Sequence, residues 1–536
     1  MLLSRRPRDL SFALKASVAF ALVVVADLLF WGHGIGGILG GFALLLTLAA
    51  TAVHPAARRD PKAGWTLLAA TILSLVLAWA PSLLAAILFW ATLSLAVLLP
   101  RAARFDDAWR WSQRLVAQAV AGLVGPWIDL ARARKTGLAT QAWNGRSVLT
   151  LLALPVIGGA IFLTLFTAAN PVIATALSAL RFPAFSADLF FRALFWLAVL
   201  TLAWTILRPR RRRVLSLGKT RLEVSMAGVS VASVTLSLIV FNTLFALQNG
   251  LDAVILWGGA GPPAGLTLAQ YAHRGAYPLI ATTLLAGLFV LVALDPRMKT
   301  AQVPLIRILV VAWVAQNLFL VASSILRTVD YVEAYSLTRL RIAALVWMGL
   351  VGLGLVLICW RMLRGKSGAW LINTNAVAGL LVLVASCIVD LGAVAAAWNV
   401  RHAREMGGKG PELDVCYLGN LGPSAAVSLV ELERRPISPE LAERVAWVRE
   451  GALIDLRAQQ ADWRGWTVRD ALRLARVDAV ERVHPLAPSA QAYRRQCDGL
   501  VIDAPPAPEP APPSILHDVP TPPAVTPTPL TPVAEH

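Results

Sequence analysis

Long apolar runs alternate with short polar connections along most of this chain. A bilayer core about 30 Å thick calls for runs of about 20 mostly apolar residues. Eleven segments qualify: 12–31, 33–53, 64–80, 82–99, 148–168, 188–207, 223–245, 276–294, 303–326, 340–360 and 370–396. Pro81 separates the third from the fourth, as a tight turn or as a kink in one longer helix. Backbone groups in lipid must be satisfied within the segment, so the predicted fold class is all-α, a polytopic transmembrane bundle of about eleven spans. The first run follows Arg5, Arg6 and Arg8 like a signal peptide, but it lacks a small-residue cleavage site and reads as an uncleaved span.

The polar connections fall into two classes. The segment before Phe12, and the loops 54–63, 100–147, 208–222, 295–302 and 361–369, hold most of the Lys and Arg, densest at Arg208, Arg210, Arg211, Arg212, Arg213, Lys219 and Arg221. The intervening loops hold few: Arg181, Arg274, and Arg327 with Arg339. Positive residues are retained on the cytoplasmic side, so the N-terminus is expected inside and the C-terminal region outside. The insert from Arg101 to Arg146 is too polar to span. Its Trp109, Trp111, Leu115, Val116 and Val120, mixed with Arg110 and Arg114, predict an amphipathic helix lying on the inner leaflet, or one that binds a partner. Gly36, Gly37, Gly40 and Gly41 make two overlapping GxxxG pairs and predict close helix packing.

Past residue 396 the period becomes that of soluble helices. Ser438 before Pro439 reads as an N-cap with Pro at the first helical position, leading into Leu441, Val445, Val448 and Leu453 at helical spacing. Thr467 and Asp470 form a capping-box-like pair. The expected organisation is four spans in 1–99, a basic insert in 100–147, two spans and a basic loop in 148–222, and five spans in 223–396. A small extracytoplasmic domain of two to four helices follows in 397–503, then a tail in 504–536. Pro occupies 12 of the 33 tail positions, too many for a packed core, so the tail is expected to be disordered.

Composition narrows the function classes. A formal charge of +18 would suit nucleic acid, yet the chain is 57% hydrophobic and 15% charged, and its basic runs sit beside the spans as topology signals. Nucleic acid is not an expected partner. Four Cys form no CxxC or Cys/His spacing, and His33, His54, His402 and His484 have no ligand spacing, so neither a metal nor a cofactor is expected. Cys359 and Cys387 read as small residues within spans. Cys416 and Cys497 either form a disulfide outside or are unrelated buried thiols. Asp27, near the outer end of the first span, reads as a helix-end carboxylate reaching water, or as a proton-coupling group.

Two outward loops are richer in polar and aromatic residues than connections require. They and the helix ends beside them supply a candidate pocket: Asn242, Asp252, Trp257, Tyr271, His273, Arg274, Tyr277, Asp330, Tyr331, Glu333, Tyr335, Arg339, Arg341, Asp390 and Asn399. Gln316 and Asn317 lie on the ninth span nearby. Polar groups at membrane depth cost about 2.5–3.5 kcal/mol at a helix centre and usually face a cavity or a partner. The plainer reading pairs Arg274, Arg339 and Arg341 with Asp252, Asp330, Glu333 and Asp390 to lock helix ends, with Tyr and Trp as the interfacial belt. Glu333 and His273 are residue types suited to acid–base work.

The segments Phe241-Asn242-Thr243-Leu244-Phe245, Tyr271 to Pro278, Asp330 to Arg341 and Trp398-Asn399-Val400 resemble the signature segments of an uncharacterised bacterial membrane family, domain of unknown function 4173. The stretch from Leu413 to Ala425 is similar to its usual extension, so the resemblance covers about Ala227 to Arg435. It implies a multi-pass protein of the bacterial inner membrane and brings no reaction with it. The leading expectation is a non-enzymatic protein that binds or moves a small or lipid-linked molecule at its outer face. The alternatives are a membrane-embedded envelope-assembly enzyme with a carboxylate base, and a sensor or scaffold that meets an envelope protein through the C-terminal domain and tail.

Overall fold

The computed structural model describes residues 12–101, 105–135, 187–209, 230–254, 258, 303–485 and 495–501. The predicted spans 148–168 and 276–294, the basic loop from 210 onward and the Pro-rich tail lie outside the described residues. Among the described residues the protein is all-α, with seventeen helices and no strand. They are α1 (Phe12–Phe30), α2 (Ile38–Val53), α3 (Pro55–Arg59), α4 (Pro61–Trp79), α5 (Leu83–Leu98), α6 (Ala108–Leu123), α7 (Gly125–Lys135), α8 (Ala187–Leu207) and α9 (Val231–Asp252). There follow α10 (Pro304–Tyr335), α11 (Arg339–Arg364), α12 (Gly368–Ile388), α13 (Leu391–His402), α14 (Val415–Asn420), α15 (Ala426–Glu433), α16 (Pro439–Ala461) and α17 (Val468–Val483). Eight of the described helices are long and apolar enough to cross a membrane, and α2 is a shorter apolar helix.

Pro81 marks a turn, since Ser82 accepts the Ala85 amide (3.1 Å) and starts α5 as a separate helix packed on α4. α1 runs antiparallel to α8. Arg192 holds Asp27 through two hydrogen bonds (2.8 and 2.6 Å) at one end, and Phe12 packs edge-on to Trp204 at the other. Asp27 therefore has a guanidinium and the Trp196 indole N–H as partners (2.8 Å), with its side chain only 12% exposed, rather than reaching into water.

The glycine motif divides its labour. A Cβ on Gly40 would lie 2.4 Å from the Ser74 carbonyl oxygen, so α2 and α4 approach there as the motif predicts. Gly36 and Gly37 precede the helix and receive a loop of the C-terminal helices instead. A Cβ at Gly36 would lie 2.3 Å from the Arg464 carbonyl oxygen, and the Gly37 amide donates to the Trp466 carbonyl (2.7 Å). Gly41 faces open space.

Contacts between distant segments sort into two faces. On one, His54 Nε2 meets the Ile206 carbonyl (2.9 Å), Arg101 donates to the Pro209 carbonyl (2.6 Å), and α6 lies across the ends of α8 and α12. These are the loops that carry the positive charge. On the other face lie residues 31–37, the end of α12 and the C-terminal helices. The latter share one core with the bundle: Val332 and Leu337 join Val400, Leu418, Leu429, Leu432, Val445, Leu453, Leu456 and Val477. Each such Leu contributes about 1.5–3 kcal/mol by burial. The predicted caps are present. Ser438 accepts the Leu441 amide (3.3 Å), and Thr467 accepts the Asp470 amide (3.1 Å) while donating to its carboxylate (3.0 Å). A disulfide joins Cys416 of α14 to Cys497.

One predicted span is corrected. The run 370–396 is two helices, α12 and α13, broken at Val389 and Asp390. Two outcomes are expected from this packing. Gly40→Ala should cost about 1–3 kcal/mol of stability, because backbone must shift to admit the methyl, whereas Gly41→Ala should not destabilise. Thermal unfolding of the detergent-solubilised protein compares them, and equal melting temperatures would refute the close approach. Alkylation of the denatured protein should modify Cys359 and Cys387 before reduction and all four Cys after it.

Candidate functional site

α9 and α10 pack side by side in parallel. The Asn242 side-chain amide donates to the Leu309 carbonyl (3.1 Å), and Asn249 donates to the Gln316 carbonyl (3.0 Å), the same offset seven residues later. Gln316 in turn donates to Asn242 Oδ1 (2.8 Å). At the end of this seam away from Val231 and Pro304, Asp252 and Arg327 form a buried ion pair, their side chains 2% and 7% exposed, and Gln248 donates to Asp252 (3.1 Å). Apolar residues seal the opposite end: Val234, Leu238, Ile306, Val310 and Trp313 are buried.

The seam leaves acceptors over. Asn249 Oδ1, Asp252 Oδ2, Gln316 Oε1 and Asn317 Oδ1 are buried and have no hydrogen-bond donor among the described residues. A buried acceptor without a donor costs about 1–3 kcal/mol. At a rise of 1.5 Å per residue, Gln316 and Asn317 stand roughly 20 Å above the start of α10 and Arg327 roughly 35 Å. Measured from the start of α10, the amides fall within a length equal to a bilayer core of about 30 Å, and the ion pair falls just past its end.

α10 has 32 residues and spans about 48 Å, so its last turns exceed the length a bilayer core requires. Those turns carry Asp330, Tyr331, Glu333 and Tyr335. The Tyr331 and Tyr335 rings lie 4.9 Å apart, and the Arg341 guanidinium covers Tyr331 at 4.2 Å. Asp330 is half-buried and Glu333 exposed, and neither forms an ion pair among the described residues. Between α10 and α11, Ser336 has φ 69° and ψ 164°, a region essentially reserved for glycine. The strain, of order 1–3 kcal/mol, is held in place from both sides. Arg341 donates to the carbonyls of Tyr335 (2.5 Å) and Ser336. Asn399 clamps Leu337 twice, accepting its amide (2.7 Å) and donating to its carbonyl (3.0 Å).

A third group joins the bundle to the C-terminal helices. Asp390 caps α13 by accepting the amides of Gly392 (2.9 Å) and Ala393 (3.1 Å), and it also binds Ser424 Oγ (3.0 Å) and Arg473. Arg469, one turn earlier on α17, donates to the Cys387 and Ile388 carbonyls at the end of α12 (3.0 and 2.8 Å). Arg339 reaches the Leu421 carbonyl (3.4 Å) and Ser424 (3.5 Å), and its backbone amide donates to the Tyr417 hydroxyl (2.9 Å). A Cβ on Gly392 would lie 2.5 Å from the Arg339 guanidinium, so glycine is what admits it.

The candidate residues therefore separate. Asn242 and Asp252 belong to the seam; Asp330, Tyr331, Glu333, Tyr335 and Arg341 to the projecting turn; Arg339, Asp390 and Asn399 to the lock. Trp257, Tyr271, His273, Arg274 and Tyr277 lie outside the described residues. Of the cation–carboxylate pairings expected at the helix ends, Asp252 takes Arg327 and Asp390 takes Arg473, both different from those anticipated. Arg469 and Arg473 were not among the candidate residues, their only signal being the i, i+4 spacing on one face of α17, and Ser424 stood only within the family-like stretch from Leu413 to Ala425. No group of three or more metal-ligating side chains occurs among the described residues.

A family model described as Domain of unknown function (DUF4153) matches residues 64–432. The number is not the 4173 expected from the motifs, and the match begins in the third predicted span rather than near Ala227. No curated protein and no solved structure matches the chain.

The lock has a pH signature. Burial pushes the Asp390 carboxyl up, but the Ala393 amide, the Arg473 charge and the Ser424 hydroxyl together hold it below the usual carboxylate range. The folded state thus prefers the ionised form. Its stabilisation is complete above the unfolded value of about 3.9 and is lost as pH falls through the lower folded value. Asp390→Asn should be less stable at neutral pH and lose less on acidification. Melting temperatures between pH 7 and pH 3 that fall in parallel for the two proteins would refute this.

Proposed function

The chain belongs to the DUF4153 family, and we propose that it is a multi-pass membrane protein that binds, and moves along the α9–α10 seam, a small molecule or lipid-linked head group rich in hydrogen-bond donors. The carrying observation is the set of buried oxygens left without donors on Asn249, Asp252, Gln316 and Asn317. Polar side chains at membrane depth usually face a cavity or a partner. Those four oxygens would be met by hydroxyl or ammonium groups on that partner. In this reading the ligand enters at the end that carries the Asp252–Arg327 pair, with the last turns of α10 and their Tyr331, Tyr335 and Glu333 beside it.

Two features support a bacterial inner membrane with the C-terminal helices outside. The basic loops gather on one face, as cytoplasmic loops do. The Cys416–Cys497 disulfide belongs to the opposite face, and such bonds persist in oxidising compartments.

The test is mass spectrometry of lipids and small metabolites in a strain lacking the protein, complemented by the wild type, Asn317→Leu or Gln316→Leu. Both variants remove an undonated oxygen together with its amide nitrogen. They should express normally and leave the same compound accumulated as the deletion does. Full complementation by both would sink the seam as a binding path.

A further inference from the structure

The amphipathic helix α6 is apolar on two opposite sides, and among the described residues only one of them is occupied by protein. Trp111, Gln118 and Gly122 face the bundle. Gln118 donates to the Thr205 carbonyl (3.1 Å), and a Cβ on Gly122 would lie 1.8 Å from the Thr205 methyl, so the helix sits flush on α8. At its start the Ala108 amide donates to Asn373 Oδ1 near the beginning of α12 (2.8 Å). Asp107 caps the helix by accepting the Arg110 amide (2.9 Å), and Asp129 anchors α7 behind it, accepting from the Trp204 indole (3.1 Å) and pairing with Arg208 (3.4 Å).

The other side points away from the protein. Trp109, Val116, Val120 and Leu123 recur at helical spacing, about 60% exposed each, and Trp127 continues the row on α7. Trp109, Val116, Val120 and Leu123 line a shallow apolar hollow of about 640 Å³ together with Ser112 and Gln113. Water would be a poor partner for such a row. Three observations identify a better one. The helix is fixed against the last turns of α8 and the first turns of α12, which places it at the level where those helices leave the hydrocarbon. Two Trp stand in the row, the residue type that gathers at that level. The surrounding loops on this face expose Arg58, Arg59, Lys62, Arg364 and Lys366, a positive rim matched to anionic head groups.

We propose that α6 is an interfacial helix whose outward row, Trp109, Val116, Val120 and Leu123, is seated in the boundary between acyl chains and head groups of the leaflet on the basic face. Lipid supplies the missing half of its packing. The flanking Arg110, 58% exposed and paired loosely with Asp106 and Asp107 (3.7 Å), then stands at head-group level. This reading is independent of the seam and concerns the opposite face of the protein.

The test uses the full chain in vesicles of phosphatidylethanolamine and phosphatidylglycerol, with a benzophenone amino acid at position 116, at position 120 or, facing the bundle, at position 118. All three are first checked for the wild-type elution profile. Illumination followed by intact-protein mass spectrometry should show a gain of one phospholipid mass at positions 116 and 120, several-fold above position 118. Crosslinks to a second copy, or to this chain's own residues 148–168, would overturn the proposal in favour of a protein partner. Absence of any adduct at 116 and 120 would overturn it in favour of a row facing water.

Discussion

The carboxylate of Asp390 takes the first free amides of α13 at the point where the last carbonyls of α12 lose their helical partners, and Arg469 takes those carbonyls in turn. An apolar run that the bilayer would accept as one helix is thereby divided into a long apolar helix and a separate short one. Buried polar groups must be paired, so the break is stable only with α17 in place. The same carboxylate binds Arg473 and Ser424, and Arg339 reaches the Ser424 side from α11. Removing the C-terminal helices would leave a charge, two carbonyls and a guanidinium without partners at the outer rim. For that reason they are part of the membrane unit rather than an appended domain, and their core runs without a gap into Val332 and Leu337.

Most of the bundle was legible because lipid permits few solutions. Apolar length gives the spans, and loop charge gives the two faces onto which the structure sorts His54, Arg101, Ile206 and Pro209. Local caps were equally readable, since Ser438 and Thr467 act on residues three positions away. The partners of Asp252 and Asp390 were not readable, because they lie 75 and 83 residues distant and many arginines were available. Hydropathy also could not see the break at Asp390, as its neighbours Val389 and Leu391 are apolar. The glycine pairs show the limit of motif reading. Gly40 does what the pattern says, whereas Gly36 makes room for a loop more than 400 residues away along the chain.

The seam and the lock treat polarity in opposite ways. In the lock, acceptors and donors are matched, with Asp390 receiving two amides, a hydroxyl and a guanidinium. In the seam the amide nitrogens of Asn242, Asn249, Gln316 and Asn317 all find carbonyls, while three of the four side-chain oxygens do not. A purely structural polar contact would be cheaper as leucine, which packs between helices in lipid without any desolvation cost.

Ser336 connects these two regions. It holds a conformation that glycine would take freely, between the helix that carries the seam and the helix whose Arg339 reaches the lock. Its neighbours are fixed by Arg341 on one side and Asn399 on the other, so the strain persists because α10, α11 and α13 are tied together around it. The Asp252–Arg327 pair, the Ser336 turn and Asn399 of α13 thus stand along one continuous run of helix and hydrogen bond, so the turn is held by the same helices that carry the seam and the lock.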